Sequence, residues 1–183
     1  MKGIIFRGLE SLVVEKYGMA VWDQLLEKNA PDQRVYISVE SYPDPELFSL
    51  ATDVADFLSL PLSDVLRVFG EYLFGYLLER HPIIMAKFSN FDELMMGIDS
   101  VIHAEVAKLY NEPNLPKVKC EKRDSGLMVV HYYSVRKLCL CAEGLIYGAA
   151  SHYGIEVRLE HIECMHNGAS ECVIEVKYGG VTK

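Results

Sequence analysis

Residues 127–153 read LMVVHYYSVRKLCLCAEGLIYGAASHY, and two periodicities meet inside them. Leu127–Tyr133 is rich in β-branched and aromatic residues, as a strand should be. From Lys137 to Tyr153 the spacing of apolar residues becomes helical, and Gly154 closes the run. Upstream, Asp124-Ser125-Gly126 reads as a hairpin turn back to Lys117–Cys120. Downstream, Ile155–Ile162 and Glu171–Tyr178 alternate like two more strands, joined by a loop that holds Asn167-Gly168. The second half therefore predicts a small, mostly antiparallel four-stranded sheet crossed by one long helix.

The first half reads as helical. Leu9, Leu12, Val13 and Tyr17 recur at helical spacing, with Gly18 as a stop. Val21, Trp22, Leu25 and Leu26 form a second stripe that ends near Asn29-Ala30-Pro31. Residues 32–43 read as an irregular linker. Pro45 starts a third helix and Pro61 a fourth, for which Ser59 is a candidate N-cap. His81-Pro82 ends the fourth, and a further helix runs from Asn90 to about Lys108. Helices first and a sheet afterwards is α+β organisation. The expected helical part covers about 1–112 and the sheet part about 113–183, with a boundary near Asn111–Pro116 inside one domain.

The 183 residues are half apolar and a quarter charged, enough for a sizeable core. Net charge is −8 and no block of basic residues occurs, which argues against nucleic acid as a partner. The start MKGIIFRGLESLVVEKYG has no signal-peptide pattern, and no apolar run is long enough to span a membrane. The expected location is cytoplasmic, where the five cysteines point to metal, redox chemistry or packing before disulfides.

Tyr132, Ser134 and Arg136 are spaced by two, so on an extended strand they share one face. A phenol, a hydroxyl and a guanidinium make a donor cluster suited to a pair of carboxylates, and arginine grips a carboxylate with two N–H groups. Spacing alone fits an ordinary polar strand face equally and names no ligand. The pattern resembles the YxSxR signature of the H-NOX family, the haem nitric oxide/oxygen binding domains related to the sensor region of soluble guanylate cyclase. The resemblance also takes in the start MKGIIFRGL, the helical first half, His103 about thirty residues before the motif, and the Pro113–Pro116 stretch. It implies haem b between the two lobes, with His103 as axial iron ligand and Tyr132, Ser134 and Arg136 on the propionates. Among the six histidines, the resemblance selects His103.

The same resemblance implies a pocket of Ile5, Leu9, Phe74, Leu77, Leu78, Pro116, Cys141 and Leu145. Oxygen-binding members carry a tyrosine five residues after the motif arginine, and Cys141 stands there. Leu9 and Phe74 occupy the positions of that tyrosine's polar partners. A thiol is a weak donor, so nitric oxide and carbon monoxide are the expected ligands, with little stable oxygen binding; Tyr147 is a rival donor on the same helix. The family implies a switch in which nitric oxide weakens the bond to His103, with Ile5 and Pro116 pressing on the haem. It also implies output to a separate protein, a histidine kinase or a cyclic-di-GMP cyclase or phosphodiesterase, with no effector domain fused.

His161-x-x-Cys164 followed by Cys172 spaces three soft ligands as a metal loop does. Cys139 and Cys141 lie about 200° apart on a helix, so if Cys141 faces haem, Cys139 faces away. Some bacterial H-NOX proteins bind zinc in a similar pattern, which implies Cys139, His161, Cys164 and Cys172 as a structural site, with His166 as a spare candidate. Two other function classes stay open: a zinc and cysteine redox sensor without haem, and a haem enzyme of peroxidase type. No catalytic motif favours an enzyme.

Overall fold

A computed structural model describes residues 1–30, 34–109 and 114–181. Apolar residues three and four apart build the helical half. Helix α1 (Gly3–Tyr17) buries Phe6, Leu9, Leu12 and Val13 along one face. Helix α2 (Met19–Asn29) adds Trp22 and Leu25, α3 (Asp44–Leu58) adds Leu47, Leu50 and Val54, and α4 (Leu62–Arg80) adds Val65, Phe69 and Leu73. These form one apolar core. Short helices α5 (Pro82–Met85) and α6 (Phe91–Met96) follow. No helix among the described residues is long and apolar enough to cross a membrane.

The sheet half contains β1 (Lys117–Asp124), β2 (Leu127–Tyr133), helix α8 (Cys139–His152), β3 (Ile155–Glu163) and β4 (Cys172–Val181). The strand order is β1-β2-β4-β3 and every neighbouring pair is antiparallel. Met128 and Val130 on β2 and Ile174 and Val176 on β4 point to one face, where they join Ile146, Ala149 and Ala150 of α8 in a second core. The predicted α+β architecture and the Asp124–Leu127 hairpin are both present.

Several boundaries differ from the sequence reading. The expected helix from Asn90 to Lys108 is three pieces: α6, a π-helical segment over Ile98–His103, and α7 (Ala104–Leu109). The N–H of Ile102 bonds back five residues to the carbonyl of Gly97, which widens the turn just before His103. Ser59 is not an N-cap: it ends α3 in a left-handed conformation, φ 54°. Helix α8 begins at Cys139 and not at Lys137, because Ser134–Lys137 forms a turn, with Lys137 at φ 51°. The expected lobe boundary near 111–116 and the start of the 32–43 linker lie partly outside the described residues.

The two halves meet where α4 crosses α8. Here the backbones touch: a Cβ on Gly70 would sit 2.1 Å from the carbonyl oxygen of Cys141, and one on Gly144 would sit 2.1 Å from that of Arg67. Nothing flexible can yield at those points. Gly144→Ala is expected to cost about 3 kcal/mol, a fall in thermal midpoint of roughly 6–12 °C. Gly75→Ala, on α4 with open space around it, is expected to leave the midpoint unchanged or raise it. Equal midpoints for Gly144→Ala and the unmodified chain in calorimetry would contradict this packing.

Candidate functional site

The π-helical segment carries His103 with its side chain mostly buried. Its Nδ1 lies 2.5 Å from Oδ1 of Asp99, and the other oxygen of Asp99 accepts the backbone N–H of Val118 at 2.9 Å. With Nδ1 bound to a carboxylate, Nε2 is left as the ligating atom; among the described residues it has no hydrogen-bond partner. Val118 pairs across the sheet with Tyr132. His103 and the donor motif are thus joined through one carboxylate and one strand pair.

The motif itself is not a strand face. Strand β2 ends at Tyr133 and Ser134–Lys137 forms a turn, with Ser134 close enough to act on the Tyr132 phenol and its Oγ bonded to the N–H of Arg136. Tyr132 and Ser134 are buried. Burial pushes the Tyr132 phenol well above its usual range, against the pull of Ser134, so the phenol keeps its proton and can donate. Ser134 Oγ accepts the N–H of Arg136 at 3.2 Å, which leaves its own O–H available. Nε of Arg136 donates to Asp44 at 2.8 Å, and Nη1 donates to the carbonyl of Asn114 at 2.5 Å. Asp44 also meets the N-terminal ammonium at 2.7 Å, and these cations hold its carboxyl below the usual range despite burial. Arg136 is therefore oriented by fixed partners while Nη2 stays unspent among the described residues. Such a donor set fits a pair of carboxylates.

Of the expected pocket residues, Leu9 and Cys141 lie in the helical core, with Ile5, Leu77 and Leu145 half-buried against it. Pro116 is half-buried just before β1. Phe74 and Leu78 do not join them. Residue 74 is one step, about 100°, beyond the core-facing Leu73, so Phe74 packs against the sheet-side core and meets Gly148 of α8. Phe74 and Leu78 line an outward groove with Leu12 and His152. Burial pushes the Cys141 thiol up to about 12. Tyr147, the rival donor, has Arg67 as a charged neighbour. It lies about 240° round α8 from Cys141, on the side of Glu143.

The four candidate metal ligands come together from α8, β3, the 164–168 loop and β4. Their ligand atoms all lie within 4.8 Å of one another. Cys164 Sγ is 3.9 Å from the sulfurs of both Cys139 and Cys172. A tetrahedral ion at about 2.3 Å from each sulfur would set the sulfurs roughly 3.8 Å apart, so the cage fits. Gly168, at φ 92°, turns the loop, and the N–H of Met165 donates to Cys172 Sγ at 3.3 Å. Cys139 and Cys141 do enter separate clusters. His166 is outside the cage, its Nε2 being 2.8 Å from the carbonyl of Lys137. Cys120 packs in the sheet-side core. Glu143 was missed: it is buried on α8, with Oε1 2.5 Å from Nδ1 of His161 and Oε2 2.6 Å from Nε of Arg67. A lone acid in an apolar helix was the available signal.

The family model described as haem-NO-binding matches residues 2–161. The chain belongs to this haem-NO-binding family. An H-NOX protein from S. oneidensis in the Fe(II)NO ligation state is 47% identical, with TM-score 0.95 over 98% of this chain and 100% of that one. The S. oneidensis domain in the Fe(II)CO state is 47% identical, with TM-score 0.92 over 98% of this chain and 99% of that one. Soluble guanylate cyclase gcy-34 from Caenorhabditis elegans is 26% identical over 74% of this chain. The chain spans about a fifth of the length of the curated relatives that it matches first. Haem-NO-binding domains are haem-based gas sensors and not enzymes.

Arg136→Ala removes a charged partner from Asp44 and a donor from Asn114. It is expected to destabilise even the haem-free protein by about 2 kcal/mol, read from urea unfolding. An unchanged midpoint would show that the guanidinium is not anchored as described.

Proposed function

We propose that residues 1–183 form one haem-NO-binding domain that acts in the cytoplasm as a nitric oxide sensor. The observation that carries this reading is the connection His103–Asp99–Val118–Tyr132, which joins a histidine with an unspent Nε2 to the Tyr132, Ser134 and Arg136 donor cluster. The Fe(II)NO and Fe(II)CO ligation states of the similar S. oneidensis protein support it.

When bound, haem b would supply a ferrous iron able to take up a diatomic gas. His103 Nε2 would hold the iron. Tyr132, Ser134 and Arg136 would donate to the propionates. Ile5, Leu9, Leu77, Cys141 and Leu145 would form the apolar surroundings, with Pro116 at the edge. Oxygen needs a strong hydrogen-bond donor more than nitric oxide or carbon monoxide does, and the burial-raised Cys141 stays a neutral, weakly donating thiol. A shift of His103 would loosen the Ile98–His103 segment, and Asp99 would pass that change to β1 through Val118. A local change of this kind can bias a two-state element read by a partner in trans, here a histidine kinase or a cyclic-di-GMP cyclase or phosphodiesterase.

The test is the absorption spectrum. The ferrous protein in air is expected to form no stable oxygen complex, nitric oxide is expected to shift the Soret band to a five-coordinate form, and Cys141→Tyr is expected to gain oxygen binding. A stable oxygen complex of the unmodified protein would overturn the selectivity.

A structural zinc at Cys139, His161, Cys164 and Cys172 belongs to the same reading, supported by the sulfur spacing. Protein purified without chelators is expected to carry about one zinc per chain, and Cys164→Ser is expected to lose it. Metal-free preparations of the unmodified protein would count against the site.

A further inference from the structure

Glu143 is the only acidic or basic residue of α8 apart from His152. Its side chain is 8% exposed. An ionised carboxylate in such surroundings is costly unless hydrogen-bonded on both oxygens. Glu143 meets that condition. Oε2 accepts from Nε of Arg67 at 2.6 Å, and Oε1 faces Nδ1 of His161 at 2.5 Å. Arg67 is on α4, and the pair spans 76 residues of sequence.

The consequence falls on His161. A carboxylate at Nδ1 fixes the N–H there and leaves the lone pair on Nε2. That Nε2 is buried and has no hydrogen-bond partner. One ring nitrogen of His161 and the sulfurs of Cys139, Cys164 and Cys172 all lie inside 4.8 Å of one another, and Nε2 is the nitrogen that Glu143 leaves free. An orphaned imidazole nitrogen in a ring packed beside three thiols is expensive without a cation and explained by one.

We propose that Glu143 is a positioning residue for a soft divalent cation in this cage: it holds His161 in the tautomer whose Nε2 is a ligand, and Arg67 braces it from α4. The inference rests on the metal reading above. Three thiolates leave excess negative charge around a divalent ion, and the Arg67 guanidinium offsets the further charge that Glu143 brings. The cage thereby shares helix α8 with Cys141 and Leu145, with Cys139 and Glu143 on the opposite side of that helix. Carboxylates in this role are worth about 10–100-fold in metal affinity.

The experiment uses the full chain with haem, stripped of other metals by a chelator and titrated with cobalt(II), then with zinc(II) against a chromophoric competitor. The unmodified protein is expected to show the intense visible bands of tetrahedral cobalt with thiolate ligands, and Cys164→Ser to lose them. Glu143→Ala is expected to weaken zinc binding by about 10–100-fold and to alter the cobalt bands. Glu143→Gln keeps an acceptor for Nδ1–H but not the charge, and is expected to fall between. If Glu143→Ala fails to fold, Glu143→Gln decides by the same comparison. Cobalt bands and zinc affinity equal to the unmodified protein in the folded variants, with only a lower melting temperature, would reduce Glu143 to a helix–helix ion pair and overturn the proposal while the metal reading stands. An unmodified protein with no tetrahedral cobalt spectrum would overturn the metal reading and the proposal together.

Discussion

Helix α8 rests on α4 with no side chain between the two backbones at Gly70 and Gly144. That contact positions most of what has chemical interest in the sheet half. A helix held so closely on one side presents its remaining faces at fixed angles. Cys141 and Leu145 turn toward the helical core, while Cys139 turns toward Tyr132, Met165 and Cys172. Residues two apart on one helix thus serve different sites, which needs the helix to be fixed in rotation as well as in place.

Two histidines are held in the same way. His103 and His161 each place Nδ1 against a carboxylate at 2.5 Å, Asp99 in one case and Glu143 in the other. Each carboxylate is itself held by a second partner, the N–H of Val118 or the guanidinium of Arg67. A histidine alone can rotate and exchange tautomers. One whose Nδ1 is pinned to an anchored acid offers Nε2 in one direction, which is what an axial or tetrahedral ligand requires.

The strands, the hairpin and most helices could be read from the chain because their signals are local: alternation, turn residues and apolar spacing. The cysteine and histidine spacing was readable for the same reason. The donor motif was readable in composition but not in shape. Spacing by two implied a shared strand face for Tyr132, Ser134 and Arg136, whereas β2 stops at Tyr133 and a turn carries Ser134 and Arg136. Phe74 shows a similar limit. The family resemblance marked it as a pocket residue, but only the position of α8 decides which core it enters.

The sequence by itself determined the α+β order, the residue types available for carboxylate and metal chemistry, and the opposed directions of Cys139 and Cys141, since each follows from backbone periodicity. Tertiary structure decided the partners. Asp44 reaches Arg136 across 92 residues, and Arg67 reaches Glu143 across 76. No local pattern encodes such pairs, because a buried charge is stabilised by whatever folding brings to it. The Tyr132, Ser134 and Arg136 cluster is suited to carboxylates only because Asp44 and Asn114 aim the guanidinium. The four soft ligands form a cage only because α8 packs where it does.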